Sequence, residues 1–145
     1  NFHPLDLRPG FSPDEGYAAL EQLGPAGRDT YFYAETLMDV AYPLVYGLFF
    51  ALLIAFLFRL VGGRLARMTA VAWLPLAGTL FDWLENLGIV RMIQAFPARV
   101  DEWAKFASVM GQIKWVFSII ALLYILVGLG AWGLSVVKNP YTFKK

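Results

Sequence analysis

Three stretches of the chain are apolar for longer than a soluble helix or strand requires. Val40 to Phe58 carries no charge, Met68 to Val90 carries two, and Trp115 to Val137 carries none. Roughly 20 mostly apolar residues cover the hydrocarbon core of a bilayer. The pattern therefore predicts an all-α integral membrane protein, a small helical bundle forming a single membrane domain over residues 1–145. Its transmembrane helices are expected at about 40–60, 68–91 and 106–137. Pro43 is expected to kink the first, since proline removes a backbone donor and neighbours must re-satisfy the freed carbonyl.

Before the first span the period changes. Ser12-Pro13-Asp14-Glu15 is a helix start, with serine to cap, proline at the first helical position and glutamate to close a capping box. Tyr17, Leu20 and Leu23 then recur at helical spacing. Gly24 reads as the stop and Pro25 as the next start. Residues 1–38 are thus an extracytoplasmic segment with an amphipathic helix at about 13–23, lying on the membrane surface or on the protein's own outer face. Tyr31, Phe32, Tyr33 and Tyr42 fit an interfacial aromatic belt.

Composition agrees, with 59% hydrophobic and only 16% charged residues, against about 25% charged in soluble domains. Charge also orients the chain. Residues 1–39 hold seven acidic side chains against two arginines, a net of −5, whereas the first loop holds Arg59, Arg64 and Arg67 and the tail Lys138, Lys144 and Lys145 with no acid. The positive-inside rule then places that loop and the C-terminus in the cytoplasm and the N-terminal segment outside, in a membrane expected to be the bacterial inner membrane. The chain begins at Asn1, and a fourth helix upstream is the preferred account over a cleaved signal peptide.

The absence of cysteine excludes disulfides and thiolate metal sites. The one histidine, His3, is far from every apolar run, which argues against ligated haem or chlorophyll and against a histidine metal cluster. No metal site and no catalytic residue is nominated. A bound lipid or carotenoid-like molecule needs no ligating side chain and stays open. Nothing resembles a basic–aromatic nucleic-acid surface. Gly128-Leu129-Gly130-Ala131-Trp132-Gly133 matches G-x-G-x-x-G formally, but without a preceding strand it reads as small residues for close helix approach.

The residues that call for a reason are Asp82, Glu85 and Asn86. At i, i+3 and i+4 they share one face of the second span, and ionisable groups at membrane depth are costly. Such a cluster ties helices together, binds a ligand or conducts ions. Few polar residues continue inward, which argues against conduction. Lys114 is the expected partner of Glu85, with Gln112 nearby, and its alternative is to snorkel to the interface. Glu35 and Asp39, followed on the same face by Tyr42 and Tyr46, either line an outward-opening polar pocket with Asp82, Glu85, Asn86 and Gln112 or, the preferred account for the two acids, form a solvated helix entrance. The plan of surface helix, intramembrane acidic pocket and short loops is loosely similar to the emopamil-binding sterol isomerase and sigma-2 receptor group. That resemblance implies a four-helix architecture with an acidic intramembrane pocket. Two functions follow as expectations. One is an accessory or scaffold subunit of a larger membrane complex, with membrane lipids and other subunits as partners. The other is a binder or isomerase of a lipid-like small molecule using an Asp82/Glu85 pocket.

Overall fold

A computed structural model describes residues 3–138; the basic tail beyond Lys138 lies outside the described residues. Every regular element among them is helical. Helix α1 (Pro13–Tyr33) starts at the capping box, where the Ser12 N–H donates to Glu15 Oε2 at 2.7 Å and the Glu15 N–H to Ser12 Oγ at 3.3 Å. It breaks at Gly24, whose φ of 64° suits a residue without Cβ, and resumes at Pro25. One π-helical turn, Ala34–Met38, leads into α2 (Asp39–Val61). After a Gly62-Gly63 turn the chain passes through two 3-10 segments, Leu65–Arg67 and Thr69–Trp73. Helix α3 (Leu74–Ala95) and helix α4 (Asp101–Lys138) complete the fold.

The second apolar run thus enters its α-helix at Leu74 and not near Met68. Pro75 sits in the first turn, where its missing N–H costs nothing. Pro43 lies inside α2, which continues helical through it.

Two helical stretches, Pro13–Val61 and Asp101–Lys138, are long and apolar enough to cross a membrane. At 1.5 Å per residue, the 23 residues of α2 span about 34 Å and the 38 of α4 about 57 Å. The most apolar windows of these stretches are only 28% and 17% buried within the chain. A core helix of a soluble protein would be mostly covered, so these apolar faces need another apolar environment. Helix α3 is less apolar because Asp82, Glu85 and Asn86 interrupt it.

Helices α2, α3 and α4 pack mutually. The interior is layered. At one end Leu5, Leu20, Tyr31, Ile89, Met92 and Ala107 form an apolar core beneath the N-terminal segment. Toward the arginine-bearing loop, Ile54, Leu57, Phe58, Ala121 and Ile125 form another. Along each helix the buried polar residues fall between these two: Glu35 before α2, Asp82, Glu85 and Asn86 on α3, and Lys114 on α4. The surface helix rests on the protein's own face. Gly16 packs on Met92, and the Val100 N–H donates to the Tyr17 hydroxyl at 2.6 Å.

Candidate functional site

The polar layer is assembled from α3 outward. Glu85 is 1% exposed, and its carboxylate fits against Gly111 of α4; a Cβ there would come within 2.2 Å of Glu85 Oε1. Glycine at 111 is therefore what lets a carboxylate sit between two packed helices. Lys114, one turn further along α4, brings its ammonium to 2.5 Å from Glu85 Oε2 and 3.5 Å from Asp82 Oδ1, and donates to the Asp6 carbonyl at 2.9 Å. An ammonium has three N–H donors, and three acceptors surround this one. Lys114 does not snorkel; it is buried. The other Asp82 oxygen accepts from the Tyr46 hydroxyl of α2. Burying ions costs several kcal/mol each, which such a pair offsets only when the remaining valences are filled.

Asn86 has a separate task. Proline at 43 leaves the Asp39 carbonyl without its i+4 donor, and Asn86 Nδ2 donates to that carbonyl at 3.0 Å. Thr79 Oγ1 donates to the Pro43 carbonyl at 2.8 Å, and Trp83 Nε1 to the Val40 carbonyl at 3.0 Å. Gly47 gives Thr79 its room, since a Cβ there would lie 2.2 Å from Thr79 Oγ1. Three side chains of α3 thus bond this stretch of α2, and Asn86 fills the vacancy that proline leaves.

A second group stands beside this network. Carboxylate oxygens of Asp6, Glu35 and Asp39 lie within 4.8 Å of one another. Glu35 was expected at a solvated helix entrance, yet it is 1% exposed. The π-turn that holds it and the folded-back N-terminal segment cover it. Tyr31, expected in an interfacial belt, is buried too. Its hydroxyl accepts from the Leu5 N–H and donates its single proton to Asp6 Oδ1, both at 3.0 Å. No hydrogen bond of normal geometry reaches either Glu35 oxygen or Asn86 Oδ1, and the Tyr31 hydroxyl, which faces both Asp6 and Glu35, has one proton for the two carboxylates.

Two clefts flank Asp39. The first, of about 350 Å³, is bordered by Glu35, Thr36, Asn86 and the apolar Val40, Trp83 and Leu87. The second, of about 260 Å³, has Asp6, Asp39, Asp82 and Lys114 on its polar side and Tyr42, Tyr46, Phe50 and Trp115 on its aromatic side. Of the residues nominated from sequence, Asp82, Lys114, Asp39, Tyr42 and Tyr46 border this second cleft, and Asn86 the first. Glu85 borders neither; it is sealed beneath Lys114. Gln112 is exposed and lies against Gly10, outside the ion pair. Within G-x-G-x-x-G, Gly128 meets Leu57 of α2 while Gly130 and Gly133 face open space.

The N-terminal segment was not nominated, although Asp6 supplies a carboxylate and a carbonyl to the layer. Its Phe11 N–H is held by Ser108 Oγ at 2.9 Å, and the Arg8 carbonyl by Trp115 Nε1 at 3.1 Å. Residues 1–11 have no periodicity that would signal burial.

No protein-family model, curated protein or solved structure matches the chain.

Proposed function

We propose that this chain is a three-span membrane protein that binds a lipid-like amphiphile in the second cleft. Asp82, Tyr46 and Lys114 would meet the ligand's polar head, while Phe50 and Trp115 line its apolar body. The observation that carries this reading is the make-up of that cleft, with charged groups on one side and aromatic rings on the other. Sites for small molecules are of this kind, mainly apolar with a few placed polar groups. Glu85 acts here by fixing Lys114, without touching the ligand. The carboxylates favour a head that offers hydrogen-bond donors, a hydroxyl or an ammonium.

The arrangement of charges supports three crossings. Arg59, Arg64 and Arg67 flank the turn between α2 and α3, whereas the N-terminal segment and the α3–α4 linker cover the acidic end. By the positive-inside rule the arginines are cytoplasmic and the clefts open toward the outer leaflet.

The test is to purify the wild-type chain and the Asp82→Asn and Ser118→Phe variants in mild detergent and identify extracted small molecules by mass spectrometry. Ser118 borders the cleft, so phenylalanine fills it without changing a charge. A stoichiometric amphiphile is expected with wild type and not with either variant. Its retention by both would show that the cleft is not the site.

A second reading, an accessory subunit of a larger membrane complex, is favoured by one feature. Gly130 and Gly133 leave open space on α4, where a neighbouring helix could approach closely. Stoichiometric partners co-purifying in mild detergent would support this reading, and clean monomeric behaviour would oppose it.

A further inference from the structure

We infer that Asp6, Glu35 and Asp39 form a binding site for a hard divalent cation, Ca²⁺ in preference to Mg²⁺. The three side chains come from three segments: the irregular N-terminal stretch, the π-turn and the first residue of α2. Their carboxylate oxygens converge within 4.8 Å. Ca²⁺ accepts about 6–8 oxygen ligands in flexible geometry, whereas Mg²⁺ demands a near-ideal octahedron and gives up its waters reluctantly, so carboxylates brought together from three separate segments suit the larger ion. All the donors are oxygen, which suits Ca²⁺ or Mg²⁺ and not the softer metals.

Acidic clusters are common on protein surfaces, but two features set this one apart. Glu35 is 1% exposed with no hydrogen bond of normal geometry to either carboxylate oxygen, and Asn86, whose Oδ1 is buried and likewise without one, borders the same cleft as Glu35 and Asp39. Those three atoms are acceptors. A buried group left unpaired costs free energy, and only a donor or a cation relieves an excess of acceptors.

The nearby positive charges are committed elsewhere. Lys114 is held by Glu85, Asp82 and the Asp6 carbonyl. Arg8 is turned to the His3 carbonyl, at 2.6 and 3.2 Å. The polar layer contains five carboxylates, those of Asp6, Glu35, Asp39, Asp82 and Glu85, and the one ammonium of Lys114. A divalent ion beside Glu35 meets this imbalance on the side the lysine does not serve. It would also pin the N-terminal segment to the π-turn, so the cation acts as a clasp holding the cover on the bundle.

This site goes beyond the amphiphile reading and does not depend on it. Terbium(III), which replaces Ca²⁺ and luminesces when a nearby tyrosine or tryptophan absorbs, is the direct probe. Tyr31, bonded to Asp6, is placed to sensitise it. The full chain in detergent, stripped with a chelator, is titrated with Tb³⁺ and then with Ca²⁺ or Mg²⁺, and melted with and without Ca²⁺. Saturable luminescence displaced by Ca²⁺ more readily than by Mg²⁺, and a rise in Tm with Ca²⁺, are the expected results. Glu35→Gln and Asp39→Asn should each weaken Ca²⁺ by at least the roughly tenfold that loss of an outer-shell partner costs, and should abolish the Tm response. Ser118→Phe, which blocks the amphiphile cleft, should leave Tb³⁺ binding intact, so the two proposals fail separately. Absence of saturable luminescence and of a Ca²⁺ response in wild type would overturn the inference. So would binding unchanged in both carboxylate variants, or a chelator-treated Glu35→Gln protein more stable than wild type while neither responds to Ca²⁺. That last result would mean a proton, not a metal, neutralises Glu35.

Discussion

The pairing of Pro43 with Asn86 makes a prediction that a double-mutant cycle can isolate. Asn86→Leu keeps the branched shape and removes the donor that reaches the Asp39 carbonyl at 3.0 Å. A neutral intramolecular hydrogen bond contributes about 0.5–1.5 kcal/mol net, and a buried carbonyl left unpaired costs about 1–3. Interhelical hydrogen bonds in membrane proteins average only about 0.6 and reach about 1.7. Asp39 is half-buried, so water reaches part of this backbone and the lower range applies. We expect a loss of about 1 kcal/mol, or about 3 °C in Tm for a chain of this size. Pro43→Ala restores the N–H that donates to the same carbonyl within α2. In that background Asn86→Leu should cost almost nothing, giving a coupling energy near 1 kcal/mol, above the roughly 0.3–0.5 scatter of independent sites. The cycle cancels whatever else leucine gains by burial, or alanine by relaxing the helix. The assay is thermal unfolding of the four proteins in one detergent with a chelator present, which removes any contribution of metal at Asn86 Oδ1. Equal costs of Asn86→Leu in the two backgrounds would refute the claim that this asparagine replaces the bond that proline removes.

Lys114→Met should destabilise the protein by about 3–5 kcal/mol, because it strands Glu85 and Asp82 in the interior; adding Glu85→Gln should recover much of the loss, and a near-zero effect of the single change in detergent melts would show the ion pair to be dispensable. Gly88→Ala should cost about 1–3 kcal/mol, since its Cβ would lie 3.1 Å from the Ala107 backbone; Gly130→Ala, which meets nothing, should be neutral, and equal melting temperatures for the two would count against the α3–α4 packing described. Ser12→Ala should lower stability by about 1 kcal/mol through the lost cap. Hydrogen bonds from the Ser12 backbone and hydroxyl lower the pKa of Glu15, so the reciprocal bond stabilises above the ordinary glutamate pKa of 4.5 and fades as pH falls through the lower folded value. The part of the Ser12→Ala penalty that comes from the hydroxyl's bond to Glu15 should therefore shrink in acid, and a pH-independent penalty would mean that the Ser12 hydroxyl and the Glu15 carboxylate do not act together.

The contrast between Lys114 and Asp6 shows what a sequence can place and what it cannot. Asp82, Glu85 and Asn86 share a face by helical spacing alone, and one lysine in an otherwise uncharged run has few places to go. A partner for Glu85 could be named because both residues sit on long helices whose relative height follows from alternating direction. Asp6 lies in an aperiodic stretch, and its neighbours in space, Tyr31 and Lys114, are 25 and 108 residues away in the chain. Only the folded-back path of the N-terminal segment brings them together. Glu35 was misplaced for a related reason. Its i, i+4 spacing to Asp39 reads as an exposed α-helical pair, but the turn between them is π-helical, and what covers Glu35 comes from elsewhere in the chain. The task of Asn86 was hidden differently: Pro43 announces an orphaned carbonyl, and the sequence does not say which of several polar side chains reaches it. On the long helices local periodicity thus fixes which polar groups must be inside, whereas for Asp6 and Glu35 tertiary contact decides both burial and satisfaction. In this protein the division is uneven. The α3–α4 half of the polar layer closes on its own lysine, and the half under the N-terminal segment is left with more acceptors than donors. An added cation has most to gain at that second half.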